Sequence, residues 1–310
     1  MRAISSLRPT TYAVTRRFIK DRTARVGVIG LGRIGLPLAM RLSRAGFAIH
    51  GFDFDPARAS KLCLRRSYLW QLTPNEKVNG RDYGFRVSCD LSQVSETDVA
   101  IICLPLIPGE AQEPDLRLIR ETAFGVASNL HAGQLIVIES PADPGMTEEI
   151  VVPILESAND AHLKVSRNTG APDEIFVGIS PRCANAGDFS LDSEKAPKLA
   201  GGVDTLSMEL TAELYSSVFS TVIPVSCPSR AEILNLLETS YRSQNAAGAF
   251  RDKLEQLCHG NGSDFPGSLA GRSAQPQPRM QDADSSAASL NVPIDPFYLA
   301  WKESELGFHF

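Results

Sequence analysis

The sequence predicts an α/β fold organised around a doubly wound parallel sheet. Three observations carry this: short β-branched runs alternate with stretches of helical spacing, a glycine-rich turn joins the first run to the first helix, and an acid closes the second run. In chain order, residues 1–24 come first. They carry Arg2, Arg8, Arg16, Arg17, Lys20 and Arg22 against a single acid, Asp21. This reads as a disordered basic extension, with a mitochondrial transit peptide as the alternative. Residues 25–29 (RVGVI) read as a buried parallel strand, because apolar β-branched residues run without polar alternation. Residues 33–46 follow with Ile34, Leu36, Leu38, Ala39, Leu42 and Ala45 at helical spacing. Pro37 falls in the first turn, where its missing N–H costs nothing. Residues 47–53 (FAIHGFD) make the second strand.

Residues 85–88, 99–103 and 134–139 read as further strands, with a helix over 115–130 between the last two and another over 147–156. Residues 175–180 and 221–225 close the sheet, and residues 207–219 and 230–258 read as helices. The domain plan is therefore 25–226 for the sheet domain and 227–259 for a long connecting helix. Residues 260–290, rich in Gly, Ser, Pro and Gln, form a disordered linker, and the end, 291–310, regains aromatic and aliphatic anchors.

Composition narrows the function. A net charge of −5 gives no electrostatic reason to expect nucleic acid. No stretch approaches the ~20 apolar residues that a membrane-spanning helix needs. The six cysteines are scattered without a C-x-x-C pair, and the five histidines show no metal-ligand spacing. That usage fits a reducing compartment, the cytoplasm.

The turn Gly30-Leu31-Gly32-Arg33-Ile34-Gly35 carries the chemistry. Gly30 permits a tight turn, Gly32 lets a diphosphate approach the backbone, and Gly35 allows close helix–strand packing. The helix behind it supplies N–H donors and a partial positive charge. Asp53 lies eighteen residues after Gly35, where its carboxylate would accept hydrogen bonds from adenosine ribose hydroxyls and repel a 2′-phosphate. Arg58 could reach the adenine or a phosphate. The motif in this context predicts a Rossmann-type domain that binds NAD.

Several segments resemble the UDP-glucose/GDP-mannose dehydrogenase family. RVGVIGLGRIGLPLAMRLSRAGFAIHGFDFDPARASKL is similar to that family's opening. SYLWQLTPNEKV, EPDLRLI, GQLIVIESPADPGMTEEIVVPILE, PKLAGGVD and VPIDPFYLAWKESELGFHF resemble the branch that oxidises UDP-N-acetylhexosamines. The resemblance implies a twofold NAD-dependent oxidation of a nucleotide-sugar alcohol to the acid, through a cysteine-bound intermediate, in polysaccharide precursor synthesis. It also implies a mainly helical region after the Rossmann sheet and then a UDP-binding domain, which is expected to be absent from this chain. The family's functional residues carry over poorly. Its cysteine position holds Asn291, its lysine Asn235, its asparagine Thr239, its threonine Pro141 and its glutamate Arg182. Only the aspartate is retained, as Asp295, and that residue also suits the N-cap of the following helix. The expectation is an NAD-binding member of the family with impaired catalysis; the alternatives are a non-catalytic NAD-binding pseudoenzyme or regulatory partner of a full-length relative, and a degraded gene product. The chain would touch a nucleotide sugar only as the resemblance implies, and it could form a homodimer or associate with a full-length relative.

Overall fold

A computed structural model describes residues 10–63, 85–105, 107–108, 114–140, 144–181 and 197–243. Helix α1 is Thr11–Lys20, then β1 Arg25–Ile29, α2 Gly35–Arg44, β2 Ala48–Phe52, α3 Pro56–Cys63 and β3 Arg86–Ser88. A 3-10 turn, Leu91–Glu96, leads to β4 Val99–Ile102, the short β5 Ile107–Pro108 and β6 Pro114–Asp115, α4 Arg117–Ala127 and β7 Leu135–Ile138. A π-helical turn, Met146–Val151, runs into α5 Val152–Ser157. Then follow β8 Lys164–Val165, β9 Glu174–Ile179, β10 Lys198–Gly202, α6 Thr205–Ser216, β11 Val222–Val225 and α7 Pro228–Ser243.

The chain divides into two compact units. One comprises residues 1–106 and 115–233, the other residues 107–114 and 234–310. Described parts of the second are β5, which pairs with β6, and the later part of α7.

The first unit holds the sheet, in the order β11-β10-β9-β7-β4-β1-β2-β3, with β8 paired to β9. The pairs β1–β2, β1–β4, β4–β7 and β7–β9 are all parallel. Residues alternate between its faces. Val26, Val28, Val99, Ile101, Leu135 and Val137 join Leu36 and Met40 of α2 and Leu210 and Leu214 of α6 in one core cluster. Their neighbours Ile102, Ile136 and Ile138 are equally buried on the opposite face. Cover on both sides explains why these strands read as continuous apolar runs. The architecture is the Rossmann type that the sequence predicts.

Three expectations need correction. Residues 1–24 were expected to be disordered, yet Thr11–Lys20 is a helix that packs on α6. Tyr12, Thr15 and Ile19 lie at i, i+3 and i+7 and so share one face. Ile19 is 1% exposed, Thr15 Oγ1 donates to the Gly133 carbonyl at 2.6 Å, and Thr11 Oγ1 donates to the Ala171 carbonyl at 2.8 Å. Tyr12 OH donates to Glu209, and Arg16 pairs with Glu213 at 3.5 Å. The basic residues occupy the outer side. A segment held in the fold this way gives the transit-peptide alternative no support; residues 1–9 lie outside the described residues.

The second correction concerns the sheet, which is not wholly parallel: β10 runs antiparallel to β9, with Gly201 opposite Ile179. The third concerns the helix expected over 147–156, which opens as a π turn after Gly145 (φ 93°) and becomes α-helical only at Val152. Glu232 of α7 accounts for that start. Its carboxylate accepts from Gly145 N–H at 2.7 Å, Thr147 N–H at 3.0 Å and Thr147 Oγ1 at 2.7 Å. These are donors that a helix N-terminus otherwise leaves unpaired. The long helix expected over 230–258 is α7 as far as Ser243, and its remainder, with the linker 260–290 and residues 291–310, lies outside the described residues.

Candidate cofactor site

The crevice for a ligand in an open α/β sheet lies at the carboxyl ends of the strands, beside the first crossover. Here that is the turn between β1 and α2. Gly30 has φ +89°, and its N–H donates to the Phe52 carbonyl at 2.8 Å. A Cβ on Gly35 would stand 2.0 Å from the Gly30 carbonyl oxygen, so only glycine lets the helix begin this close to the strand. A Cβ on Gly32 would meet nothing within 4 Å. The backbone at Gly32 thus faces open space, the cradle that a diphosphate requires. Arg33 is exposed beside it, and Ile34 packs its side chain onto the core. Ile34 is also the N-cap of α2 and gives no side-chain cap, which leaves the helix N-terminus available to an anion.

Asp53 follows β2, with its side chain only 3% exposed. Its Oδ2 accepts from the Leu31 N–H at 3.0 Å, inside the glycine turn, and its Oδ1 accepts from the Asp55 N–H at 2.9 Å. Arg58 Nη1 donates to the same Oδ2 at 3.4 Å, while Arg58 Nε donates to Asp55 Oδ2 at 3.2 Å. Asp53, the acid that the sequence analysis expects at the ribose, thus braces the turn, and Arg58 bridges it to a second carboxylate. Asp55 Oδ1 accepts from the Ala57 N–H at 2.9 Å and the Arg58 N–H at 3.4 Å. The Ala57 N–H first, and then Arg58, hold the Asp55 carboxyl below its usual range. The far wall is pinned by Ser140, whose Oγ accepts from the Leu104 N–H at 2.9 Å and donates to the Ile102 carbonyl at 3.3 Å.

Gly30, Gly32, Arg33, Ile34, Gly35, Asp53 and Arg58 thus fall together around one turn. Pro141, Arg182, Asn291 and Asp295 lie outside the described residues. Asn235 is buried on α7, and Thr239 lies one turn further along the same helix.

Sequence reasoning missed three parts of this region: the Leu31–Asp53 bond, the Asp55–Arg58 pair and a buried polar network on the α6 face of the sheet. In that network Lys198 Nζ donates to Glu139 Oε1 at 2.5 Å and to the Ser180 carbonyl at 2.8 Å, and Tyr215 OH donates to Glu139 Oε2 at 2.5 Å. The signal for it was a glutamate closing the apolar run LIVIE, since a charge that ends a buried strand needs a partner. Among the described residues, no cluster of His, Cys, Asp or Glu suits a metal, and no helix is long and apolar enough to cross a membrane.

A parallel sheet with an open glycine turn, an uncapped helix start and a strand-end acid defines a dinucleotide-binding domain of the Rossmann class. Residues 24–219 match the NAD-binding domain of the UDP-glucose/GDP-mannose dehydrogenase family. The chain belongs to that family, and the cofactor of this domain is NAD. Two of the relatives whose alignments cover 92% of the chain illustrate the likeness. One is a UDP-N-acetyl-D-glucosamine 6-dehydrogenase from Pseudomonas aeruginosa, 24% identical over 286 residues; the other is Protein CapL from Staphylococcus aureus, 27% identical over 300 residues. The chain spans 64% of the length of each. The solved structure of a UDP-D-ManNAc dehydrogenase from Pyrococcus horikoshii shares the fold, with a TM-score of 0.65 at 21% identity over 91% of this chain and 70% of the other.

Proposed function

We propose that this chain binds NAD in the manner of its family and does not oxidise a nucleotide sugar. The observation that carries the reading is the glycine turn, open at Gly32, closed to any side chain at Gly35, and braced by Asp53. The Gly32 backbone and the N-terminus of α2 hold the diphosphate, Asp53 takes the ribose hydroxyls, and Arg58 lies at the adenosine rim. NAD, when bound, supplies a hydride acceptor.

The loss of chemistry rests on the residues that stand at the family's working positions. Asn291 replaces the cysteine, and an amide cannot act as a thiolate nucleophile. Asn235 replaces the lysine, Thr239 the asparagine, Pro141 the threonine and Arg182 the glutamate, the last a reversal of charge. Asp295 alone keeps the family's residue. The names of relatives that act on UDP-N-acetylhexosamines support such a sugar as the substrate class of the ancestral site. A sound cofactor fold beside replaced chemistry suits a cytoplasmic partner, or regulator, of a catalytically complete relative. The expected result is that purified chain with NAD and UDP-N-acetylglucosamine or UDP-N-acetylmannosamine gives no NADH absorbance above the chain-free control. Sustained, sugar-dependent NADH formation would overturn the reading.

A further inference from the structure

We propose that Asp55 sets the cofactor specificity of this site, by pinning the Arg58 guanidinium so that it cannot serve a 2′-phosphate. The inference rests on the dinucleotide reading above and extends it from the ribose acid to a second residue. A nearby arginine is the usual acceptor of the 2′-phosphate in sites of this architecture. Arg58 has the right chemistry and place: its side chain is 41% exposed and lies 3.4 Å from the ribose acid, Asp53. It is nevertheless committed, because its Nε donates to Asp55 Oδ2 at 3.2 Å. The rim thus holds two carboxylates against one guanidinium. A 2′-phosphate entering there meets a net negative field, and it must also draw Arg58 away from a partner three residues back in the chain.

Asp53 and Asp55 differ in what else they do. Asp53 is buried and braces the turn through the Leu31 N–H, so its removal disturbs diphosphate and ribose together. Asp55 is half exposed, and its other task is to cap α3 through the Ala57 and Arg58 N–H groups. Asparagine or serine keeps that cap and deletes the charge. Asp55 is therefore the specificity lever that leaves the turn standing.

The test is calorimetric titration of NAD and of NADP into the full chain, its Asp55→Asn and Asp55→Ser variants, and an Asp55→Asn/Arg58→Ala double variant. Removing the Asp55 charge and releasing the Arg58 Nε from it should raise the ratio of NADP to NAD affinity on the order of tenfold in both single variants. The double variant should return the ratio to the wild-type value or below it. An unchanged ratio in the single variants, with NAD still bound by the wild type, overturns the assignment to Asp55 and leaves the cofactor reading standing. A gain that survives loss of Arg58 also overturns it, since another group then receives the phosphate. Wild-type chain that binds neither dinucleotide removes the reading of the turn, and this inference with it.

Discussion

Alanine at position 35 is expected to cost the chain several kcal/mol of stability. The added methyl would sit 2.0 Å from the Gly30 carbonyl oxygen and 3.0 Å from the Cys103 Cβ. Neither neighbour can yield easily. Gly30 is tied by its N–H to the Phe52 carbonyl, and Cys103 is buried with its N–H on the Ile29 carbonyl. Relief requires α2 to lift from β1, which opens the cluster of Leu36, Leu38 and Leu42 against the sheet. Overpacking a core typically costs 1–3 kcal/mol, and a backbone collision this short should exceed ~3 kcal/mol. A domain with roughly 5–15 kcal/mol in total would lose a large share of it. The urea midpoint of Gly35→Ala should fall accordingly, and a midpoint matching wild type would show that the helix does not approach the strand as described. Position 32 behaves oppositely: the same motif gives Gly32→Val a fold near wild type, because its Cβ meets nothing within 4 Å.

Lys198→Met should be comparably severe, for an electrostatic reason. Glu139 and Lys198 are both buried, at 1% and 6% exposure. Lys198 also lies over the Tyr215 ring, 5.1 Å from its centroid. Burial, and then the Glu139 charge, push the Tyr215 hydroxyl well above its usual range, so it remains a donor at any working pH. Methionine would leave the Glu139 carboxylate without its counter-charge in a low-dielectric interior. Breaking a buried pair from one side costs ~3–5 kcal/mol, whereas removing both charges is often nearly neutral. Glu139→Gln in the Lys198→Met background should therefore recover most of the loss, since the amide oxygen still accepts from Tyr215. A single variant within ~1 kcal/mol of wild type by denaturant unfolding, or a double variant no better than the single, would contradict this account.

Much of the fold was legible where one rule sufficed. β1, β2, β4 and β7 are buried on both faces and so wrote themselves as apolar runs, and the spacing of α2 followed from Leu36, Leu38, Ala39 and Leu42. The glycine turn and Asp53 were legible because their spacing reflects the reach of a dinucleotide. What stayed hidden depended on partners far along the chain. Helix α1 buries Thr15 and Ile19 within a basic stretch, and its anchors, Gly133, Ala171 and Glu209, are more than a hundred residues away. Strand β10, KLAGG, opens on a charge made compatible with burial by its pairing with Glu139 and its bond to the Ser180 carbonyl, and it closes on two glycines of weak strand propensity. In the site, the glycines announced a phosphate cradle, but nothing in the sequence announced that Asp53 braces Leu31 or that Asp55 captures Arg58. The first joins two strand ends 22 residues apart and the second is a local side-chain pair three residues apart, and neither leaves a periodic mark in the residue pattern.

The central claim is that the turn at Gly30–Gly35 still receives NAD. Calorimetric titration of NAD into the wild-type chain and into Gly32→Val, with melting temperatures recorded for both, tests it most directly. Saturable binding by the wild type, lost in a Gly32→Val chain that melts near the wild-type temperature, is the predicted result; a cofactor at a hundred times its dissociation constant also adds ~2.7 kcal/mol of stability to the competent chain alone. Equal affinity in the two chains, or no binding to the wild type, would contradict it.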